Sequence, residues 1–441
     1  MRHTALLVVL AAALSSCALS VRTQPSDAGS ESGIDGALRD TAVPPAEDVA
    51  ADVSMLLDTP DTEVSTAPDA GHCPLAERVR AGGIEIHTHY LYSCAQRDGD
   101  RVWCWGNNFS GELGAADRYV ERVYAPREMN AFRGSILFVG TNILCGLSSF
   151  GALRCAGGIG NFIRDDPRQD LMAYPIPALI PGVDRPASIF LGRIASCALA
   201  PGRTLRCWGA ILGELGDQLP VVMRDIPEYG RVSSISIASS HWCVLRCDGS
   251  VACAGSNGSG QLGTEPRSEV PWHSQLQAVP ASAGTRRVVT GSRGSCLLGT
   301  DGRVRCWGTN QRGELGDGTT VSRWVPREVI GLQDVTSLDM TKWSPEQMGD
   351  TICAVSRGAV YCWGNQLAYD VEPSRPPHTV PTRVVGLPDN VVEVAMGDAH
   401  ALALTASGEV YCWGAAELCT LVRGDAGFHQ RAPVRVPLPP P

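Results

Sequence analysis

The sequence predicts an all-β protein, a seven-bladed β-propeller preceded by a signal peptide and a disordered acidic linker. Three observations predict this fold class. The 441 residues include 48 Gly and 30 Pro, so turns recur too often for long helices. A unit of roughly 50 residues repeats seven times, which indicates a ring or array of similar sheets. Each unit carries signals for four short strands, the number found in a propeller blade.

Residues 1–16 are predicted to be a signal peptide. Arg2 precedes an apolar run at 5–14 that is too short to cross a bilayer. The following tetrad at 14–17, Leu-Ser-Ser-Cys, resembles the bacterial lipoprotein signal. The resemblance implies that Cys17 carries diacylglycerol and begins the mature chain. The alternative is an ordinary cleaved signal with a cysteine nearby by chance.

Residues 17–72 are predicted to form an acidic tether. They contain too few large apolar side chains to fold, and the segment 18–72 has eleven acids and two Arg. Ala18 rather than Asp follows Cys17, which favours sorting to the outer membrane if the cell is Gram-negative. We therefore expect an outer-membrane lipoprotein of the cell envelope, facing either the periplasm or the cell surface. Its contact with the membrane would be the N-terminal lipid.

Residues 73–441 are predicted to be the propeller. The tether carries a formal charge of −9, which equals that of the whole chain, so the folded part is close to neutral. Binding to nucleic acid through a basic surface needs a large positive excess. We therefore expect no nucleic-acid partner.

The tripeptide Cys-Trp-Gly marks the repeat most clearly. Successive marks are 46 to 56 residues apart, so no unit is missing. Two units have Cys-Ala-Gly instead, beginning at Cys155 and Cys253. The complete tripeptides begin at Cys104, Cys207, Cys306, Cys362 and Cys412.

The strands of each unit follow from local patterns. A unit opens with an alternating apolar stretch such as Val392-Glu393-Val394, which suits a strand. A second strand, a tight turn such as Asp301-Gly302 and the Cys-Trp-Gly strand then form a hairpin. An outer strand completes the unit after a Gly-Glu-Leu-Gly turn, which is present at 111–114, 213–216 and 313–316, and with Gln at 260–263.

A second cysteine precedes the hairpin turn in six units. Each pair is nine or ten residues apart, so its members can face each other on neighbouring antiparallel strands within disulfide reach. The predicted pairs are Cys94 with Cys104, Cys145 with Cys155, Cys197 with Cys207, Cys243 with Cys253, Cys296 with Cys306, and Cys353 with Cys362. Zinc is the alternative, but its cysteine ligands usually lie closer together in sequence, and an exported protein meets an oxidising compartment.

Four further cysteines in the folded part have no obvious partner. The seventh unit has Leu402 where the first cysteine should stand, which leaves Cys412 unmatched. Cys73, Cys247 and Cys419 are also surplus. Cys73 could pair with Cys412 or Cys419 and so join the two ends of the ring, but the pairing cannot be read from the sequence.

Together these motifs resemble the repeat of the regulator of chromosome condensation family, over about residues 79–441. Besides Cys-Trp-Gly and Gly-Glu-Leu-Gly, the family's Gly-x-x-His occurs as Gly397-Asp398-Ala399-His400, and the fifth unit, 291–332, is closest to the pattern. The resemblance implies a seven-bladed propeller. The founding member is a nuclear exchange factor for a small GTPase and docks on chromatin, and we do not expect this activity outside the cytoplasm. Other relatives inhibit secreted enzymes by covering them with one ring face.

Three short motifs suggest ligand chemistry, but the repeat explains them. The Gly-x-Gly-x-x-Gly pattern at 258–263 is in register with the other blade turns and does not join a strand to a helix. His87 and His89 alternate on a strand without a third ligand nearby. Asp98-Gly99-Asp100 occupies the position of a hairpin turn. We therefore expect no catalytic residue, metal site or cofactor.

Tryptophans outside the repeat register are candidates for a binding surface. Those of Cys-Trp-Gly recur at one position and are predicted to pack between blades. Aromatic anchors dominate the energy of many interfaces, and periodic packing does not explain the candidates. These are Trp242, Trp272, Trp324 and Trp343. The longest insertions, at 164–174, 342–349 and 366–378, are predicted to lie on a ring face, where propellers bind partners.

These observations predict a non-catalytic, envelope-anchored scaffold. We expect a monomer that recognises a protein or polysaccharide partner through a propeller face. Two alternatives remain open. One is an inhibitor of a secreted enzyme, for which one face must plug an active site. The other is a glycan-active hydrolase, which requires clustered acids or a metal near the ring axis.

Overall fold

The computed structural model describes most of the chain after residue 72. The described residues are 73, 78–113, 122–158, 174–192, 195–209, 223–265, 272–342, 349–365, 378–419 and 429–440. The predicted signal peptide, Cys17 and the predicted tether lie outside them. Within these ranges no helix is long and apolar enough to cross a bilayer.

Seven four-stranded antiparallel sheets, blades 1 to 7, are each formed by four consecutive strands. Blades 1 to 4 comprise β1 Ile84–His89, β2 Tyr92–Arg97, β3 Arg101–Asn107, β4 Arg122–Glu128, β5 Ser135–Gly140, β6 Ile143–Ser148, β7 Ala152–Gly157, β8 Tyr174–Asp184, β9 Ser188–Leu191, β10 Ala195–Leu199, β11 Leu205–Gly209, β12 Arg224–Ile226, β13 Val232–Ile237, β14 His241–Arg246, β15 Val251–Ser256 and β16 Trp272–Ala278. Blades 5 to 7 comprise β17 Thr285–Thr290, β18 Gly294–Gly299, β19 Val304–Gly308, β20 Arg323–Glu328, β21 Val335–Met340, β22 Thr351–Ser356, β23 Ala359–Gly364, β24 His378–Arg383, β25 Val391–Met396, β26 His400–Thr405, β27 Val410–Ala415 and β28 His429–Arg435. A short helix, α1 Ala416–Cys419, follows β27. The predicted all-β fold is confirmed.

The blades form a closed ring. The first strand of each blade contacts the first strand of the next, and β25 of blade 7 contacts β1 of blade 1, so the first strands are innermost. The end blades do not exchange a strand. Instead, the Arg97 guanidinium donates to the Pro439 carbonyl at 2.6 Å, and the Asp398 amide donates to the Tyr90 carbonyl at 2.8 Å. The predicted seven-bladed propeller is confirmed.

The two faces of the ring carry different connections. Because every blade is an antiparallel meander, the turn between its second and third strands lies on the same face as the link to the next blade. We call this the hairpin face. The other connections lie on the opposite face, which we call the insertion face. The three segments predicted to be insertions join strand ends there, namely β7 to β8, β21 to β22 and β23 to β24.

The glycine of Cys-Trp-Gly is required where the third strand reaches the insertion face. Gly308 has a φ of 110°, and a Cβ there would lie 2.4 Å from the carbonyl oxygen of Arg293. Gly414 has a φ of 119°, and its Cβ would lie 2.5 Å from the carbonyl oxygen of Ala399. Only glycine combines this backbone conformation with such a close approach.

The tryptophans of the tripeptide pack in the core, as predicted. All are at most 5% exposed, at Trp105, Trp208, Trp307, Trp363 and Trp413. The indole N–H of Trp307 donates to the carbonyl of Gln261 at 2.9 Å, and that of Trp363 to the carbonyl of Glu314 at 3.0 Å. Both carbonyls belong to the Gly-rich turn of the preceding blade. At these two seams, the motif of one blade therefore binds the turn motif of its neighbour.

Candidate functional site

The described part of the chain contains eight disulfides. Six join the second and third strands of one blade, with Cα atoms 4.0 to 4.1 Å apart, as the spacing predicts. They are Cys94–Cys104, Cys145–Cys155, Cys197–Cys207, Cys243–Cys253, Cys296–Cys306 and Cys353–Cys362. Each closes a short loop and stabilises the fold by about 2–3 kcal/mol in the chain-entropy model.

The four surplus cysteines also pair, but not between the ends of the ring. Helix α1 folds back on β27, so Cys412 bonds to Cys419, with Cα atoms 5.3 Å apart. Cys73 bonds to Cys247 in blade 4, with Cα atoms 4.9 Å apart. The pairing that the sequence left open is therefore Cys73 with Cys247 and Cys412 with Cys419, and Cys73 does not join the two ends of the ring. Sixteen of the seventeen cysteines are in disulfides, and the remaining one is Cys17.

The Cys73–Cys247 disulfide fixes the start of the folded unit to the hairpin face. Cys247 lies in the turn between β14 and β15, and the Cys73 sulfur lies 3.8 Å from the carbonyl oxygen of Val232 at the start of β13. Arg78 already lies at blade 2, where its guanidinium donates to the Leu137 carbonyl at 3.0 Å. The segment that leads into β1 of blade 1 is therefore also attached to blade 4.

Trp242 is not a surface residue, so its prediction as a binding residue is wrong. It is fully buried, lies opposite Ala254 and donates its indole N–H to the Tyr229 hydroxyl at 3.1 Å. Ala254 replaces the tryptophan of Cys-Trp-Gly, and Trp242 fills the space from the neighbouring strand. Blade 2 has the same exchange, with Leu144 opposite Ala156. The alanine in the tripeptide is the sequence signal that could have revealed it.

Trp324 does lie on the surface. Its exposed fraction is 44%, and Val321 just before it is 52% exposed. Trp324 is at the start of outer strand β20, near the insertion face, and packs on the blade 4 turn, where a Cβ on Gly260 would lie 2.7 Å from the Trp324 Cβ. Phe109, in the corresponding turn of blade 1, is 58% exposed. Large apolar side chains are therefore available on the insertion face.

The remaining two candidates differ. Trp272 opens the outer strand of blade 4 and is half-buried, with its ring centre 5.9 Å from that of Trp242. Trp272 therefore packs against buried Trp242, and only part of its side chain is accessible to a partner. Trp343 lies outside the described residues, so its role stays a prediction.

A cavity of about 770 Å³ lies on the ring axis, enclosed by the inner strands. Blades 5, 6, 7 and 1 supply most of its charged side chains, and blades 2 to 4 supply aromatic and hydroxyl groups. The charged half includes Glu85, Arg287, Asp339 and Glu393. The other half includes Phe138, Ser188, Phe190, Ser234 and Ser236. Sequence reasoning missed this cluster because its members come from distant blades.

Two carboxylates at the axis are held in ion pairs. Glu85 accepts hydrogen bonds from Arg80 at 2.9 Å and from Arg78 at 3.4 Å. Asp339 accepts from the Lys342 ammonium at 2.9 Å. Burial acts to raise the pKa of Asp339, but the charges of Lys342 and Arg287 hold it below its usual value. Both acids are therefore anions that already have cationic partners.

Two other polar atoms at the axis form no hydrogen bond with another described residue, although Nε2 of His87 lies 3.8 Å from Oε2 of Glu85. The Nε2 atom of His87 and the Oε2 atom of Glu393 are buried without a hydrogen bond. Burial raises the pKa of Glu393 to about 8, although Arg287 opposes the shift, so this carboxyl carries a proton at pH 7. Burial, assisted by Arg78, lowers the pKa of His87 to about 4, so its imidazole is neutral. Both groups can form hydrogen bonds with a ligand.

Two serine–histidine contacts lie between blades. Nε2 of His241 is 2.7 Å from Oγ of Ser295, and Nε2 of His400 is 2.6 Å from Oγ of Ser93. This pairing could suggest a nucleophile and its base. However, all four residues are at most 1% exposed, and burial lowers the pKa of both histidines to about 3. These contacts join blade 4 to blade 5 and blade 7 to blade 1, and they offer no surface to a substrate.

The short ligand-like motifs adopt the turns that the repeat predicts. Asp98 and Gly99 have φ values of 50° and 70° between β2 and β3, and Asp100 pairs with Arg133 at 2.7 Å. The segment 258–263 follows β15 as a turn, and the next described element is a strand. Among the described residues, no group of three His, Cys, Asp or Glu could hold a metal ion.

Comparison with protein families identifies the repeat. Two family models of the regulator of chromosome condensation (RCC1) repeat match the chain. One matches residues 286–314 and 391–416, and the other matches residues 301–342. The matched segments lie in blades 5, 6 and 7.

Characterised proteins with similar sequences are much larger than the matched region. The ultraviolet-B receptor UVR8 of Arabidopsis thaliana is 29% identical over 221 residues, which are 47% of this chain and 47% of the receptor. The human E3 ubiquitin-protein ligase HERC2 is 27% identical over 179 residues, which are 40% of this chain and 4% of the ligase. The similarity thus spans about half the length of the receptor and a small part of the ligase.

Solved structures show the same fold. Yeast Prp20p, described with its binding to Gsp1p and histones, superposes with a TM-score of 0.62 at 18% identity, over 81% of this chain and 90% of that one. Human WBSCR16 gives a TM-score of 0.62 at 18% identity, over 77% and 94%. The chain therefore carries regulator of chromosome condensation repeats, folded as a seven-bladed β-propeller.

Proposed function

We propose that this protein is an envelope-anchored, non-catalytic scaffold that binds a protein partner through its insertion face. One observation carries the proposal: the connections at the three predicted insertions and the exposed Trp324 share that face. Propellers with this repeat are typically binding or exchange-factor proteins. Yeast Prp20p is described as binding Gsp1p and histones, and another structure holds it bound to Kap60, which favours a protein partner here as well.

The anchor is the lipid proposed at Cys17. Sixteen other cysteines are used in disulfides, so Cys17 is the one thiol not assigned to a pair. Metabolic labelling with a fatty acid that carries an alkyne tests this in the native host. The label should be lost in Cys17→Ala and kept when Cys412 and Cys419 are both changed to Ala. Labelling of Cys17→Ala at the wild-type level would contradict the anchor.

The position of Cys73 supports display of the insertion face. The tether ends next to Cys73, which is bonded to the hairpin face at Cys247. The tether would therefore join the ring on the hairpin face, away from the surface that is proposed to bind.

No catalytic step is assigned. Glu85, Asp339 and Glu393 do lie together at the axis, as a hydrolase would require, but Glu85 and Asp339 are bound to Arg80 and Lys342. Ion-paired acids of lowered pKa are poor proton donors. Inhibition of an enzyme is a special case of the proposed function, in which the partner's active site lies under the insertion face.

Capture from the host's envelope and secreted fractions with the full-length protein tests the binding face. Wild type should enrich a protein that Trp324→Ala enriches about fivefold less or worse, because an aromatic anchor is removed. The matched control is Val385→Ser, which changes an 83% exposed side chain on the hairpin face and should capture normally. Equal capture by Trp324→Ala, loss with Val385→Ser, or capture of polysaccharide alone would overturn the proposal.

A further inference from the structure

The axial cavity is lined by a cation that forms no hydrogen bond or ion pair with another described residue. Arg287 lies on β17, the inner strand of blade 5, and lines the cavity. Its charge lowers the pKa of both Asp339 and Glu393, so it lies close to both. The hydrogen bonds and ion pairs among the described residues do not include one from its guanidinium. By contrast, neighbouring Arg286 donates to the carbonyls of Val335 and Thr336.

The anions nearby do not neutralise Arg287. Asp339 is shared with Lys342, whose ammonium lies 2.9 Å away. Glu85 is shared between Arg78 and Arg80. Glu393 carries a proton at pH 7, since burial raises its pKa to about 8. The group formed by Arg287 and these ion pairs therefore has a net positive charge. Next to it lies the protonated carboxyl of Glu393, whose Oε2 atom has no hydrogen bond among the described residues.

The rest of the cavity wall is suited to a hydroxylated ligand. Ser188 and Ser234 contribute hydroxyl groups from the inner strands of blades 3 and 4, and Phe190 contributes a partly exposed ring. The volume of about 770 Å³ lies within the range of pockets that hold small organic ligands. A sugar offers hydroxyls to serines and C–H groups to an aromatic ring.

We propose that the axial cavity binds a carboxylate-bearing sugar of the uronic acid type. The Arg287 guanidinium would donate to the carboxylate, because a planar guanidinium binds a carboxylate through two parallel hydrogen bonds. Glu393 would supply a further donor, and the serines of blades 3 and 4 would contact the sugar hydroxyls. This site is separate from the insertion face, and its test is independent of the protein partner.

Calorimetric titration of the full-length protein at pH 7 tests the site with glucuronate and, as a matched neutral probe, glucose. Glucuronate should bind and glucose should bind at least about tenfold more weakly, because only glucuronate has the carboxylate. Arg287→Gln should reduce glucuronate affinity about tenfold or more, whereas Arg286→Gln should leave it within about twofold. Retained near-ultraviolet circular dichroism and thermal midpoint show that each variant is folded.

Glu393→Gln adds a readout that a structural role would not give. Glutamine is neutral at every pH and can donate a hydrogen bond, so the glucuronate affinity of this variant should not change between pH 7 and pH 9. Above about pH 8 wild type should lose affinity as Glu393 ionises beside Asp339, Glu85, Arg78 and Arg287, while the variant should not. The proposal is overturned if wild type does not bind glucuronate, if glucose binds equally well, or if Arg287→Gln binds as wild type does.

Discussion

The hairpin face and the insertion face are made from the same seven sheets, yet they differ in how they are held. The hairpin face has short turns, exposed ion pairs such as Arg133–Asp100 and Arg357–Asp334, and the Cys73–Cys247 disulfide. The insertion face has the long connections and exposed side chains such as Trp324. The hairpin face therefore fixes the segment that leads into blade 1, while the connections on the insertion face can vary in length and sequence.

This difference has a structural cause. The hairpin turn must place two cysteines opposite each other, so its length is fixed within one residue in six blades. The connection to the outer strand carries no such constraint once the Gly-Glu-Leu-Gly turn has bound the next blade. Variation in a repeat protein is thus confined to the connections that the interblade contacts do not use.

The largest expected effect is at the hairpin-face disulfide. Changing Cys73 and Cys247 together to Ala should lower the free energy of unfolding by about 5 kcal/mol, because this bond closes the longest loop. Changing Cys296 and Cys306 together should cost about 2–3 kcal/mol, since that loop is short. Denaturant unfolding of the full chain measures both. A smaller loss for the Cys73 pair would show that the hairpin face is not the more strongly held one.

Next in size is the contrast between two tryptophans. Trp242→Ala should destabilise the fold by about 3–5 kcal/mol, because it empties a buried site. Trp324→Ala should change stability by less than about 1 kcal/mol, because Trp324 is 44% exposed and its proposed role is in binding. Thermal and denaturant unfolding distinguish the two, and equal losses would contradict the assignment of Trp324 to a surface.

Glu314 tests the turn that links blades on the insertion face. Its carboxyl accepts from the Arg312 amide at 2.7 Å, as Gln261 does from the Ser259 amide at 2.8 Å. Burial raises the pKa of Glu314 to about 7. Between pH 4.5, the usual pKa of a glutamate, and pH 7, the folded state therefore binds more protons than the unfolded state. The free energy of unfolding of wild type falls as the pH rises through this range.

Glu314→Gln should remove this loss. The variant should match wild type near pH 4.5 and be more stable by about 1–3 kcal/mol above pH 7. Glu228→Gln, at an exposed position on the hairpin face, is the control for the loss of a carboxyl group elsewhere on the ring. If the difference between Glu314→Gln and wild type does not change with pH, the carboxyl is not held as the structure indicates.

The smallest effect is expected at an exposed ion pair of the hairpin face. Arg133→Ala removes the pair with Asp100, whose side chains are 57% and 48% exposed. Solvent and salt screen such pairs, so the unfolding midpoint at physiological ionic strength should not change measurably. A shift as large as that of Trp242→Ala would mean that these pairs, rather than the disulfide, hold this face.

Much of the fold could be predicted because its determinants are local and repeat. Cys-Trp-Gly recurs in five units, and each in-blade cysteine pair follows from strand spacing alone. The errors concern relations between strands or blades. Trp242 is buried because Ala254 leaves space across the strand pair. Cys73 bonds to Cys247 although 174 positions separate them. The spacing of the repeat gives no sign of the Cys73–Cys247 contact, and for Trp242 the available sequence signal is the alanine at position 254.

The axial cluster was missed for the same reason. Arg287, Glu393 and Glu85 look unremarkable in their own strands, and only closure of the ring brings blades 5, 7 and 1 to one cavity. The burial that gives Glu393 its raised pKa is also a property of the assembled ring. A site formed by several blades at the ring axis can therefore be recognised only in the folded structure.

Disulfide mapping of the unreduced protein from its native host tests most directly whether the segment after the proposed lipid anchor joins the ring on the hairpin face. Mass spectrometry of proteolytic peptides should find Cys73 linked to Cys247, Cys412 linked to Cys419 and the six in-blade pairs, with an acylated N-terminal peptide beginning at Cys17. A peptide linking Cys73 to Cys412 or Cys419, or free thiols at Cys73 and Cys247, would contradict the account.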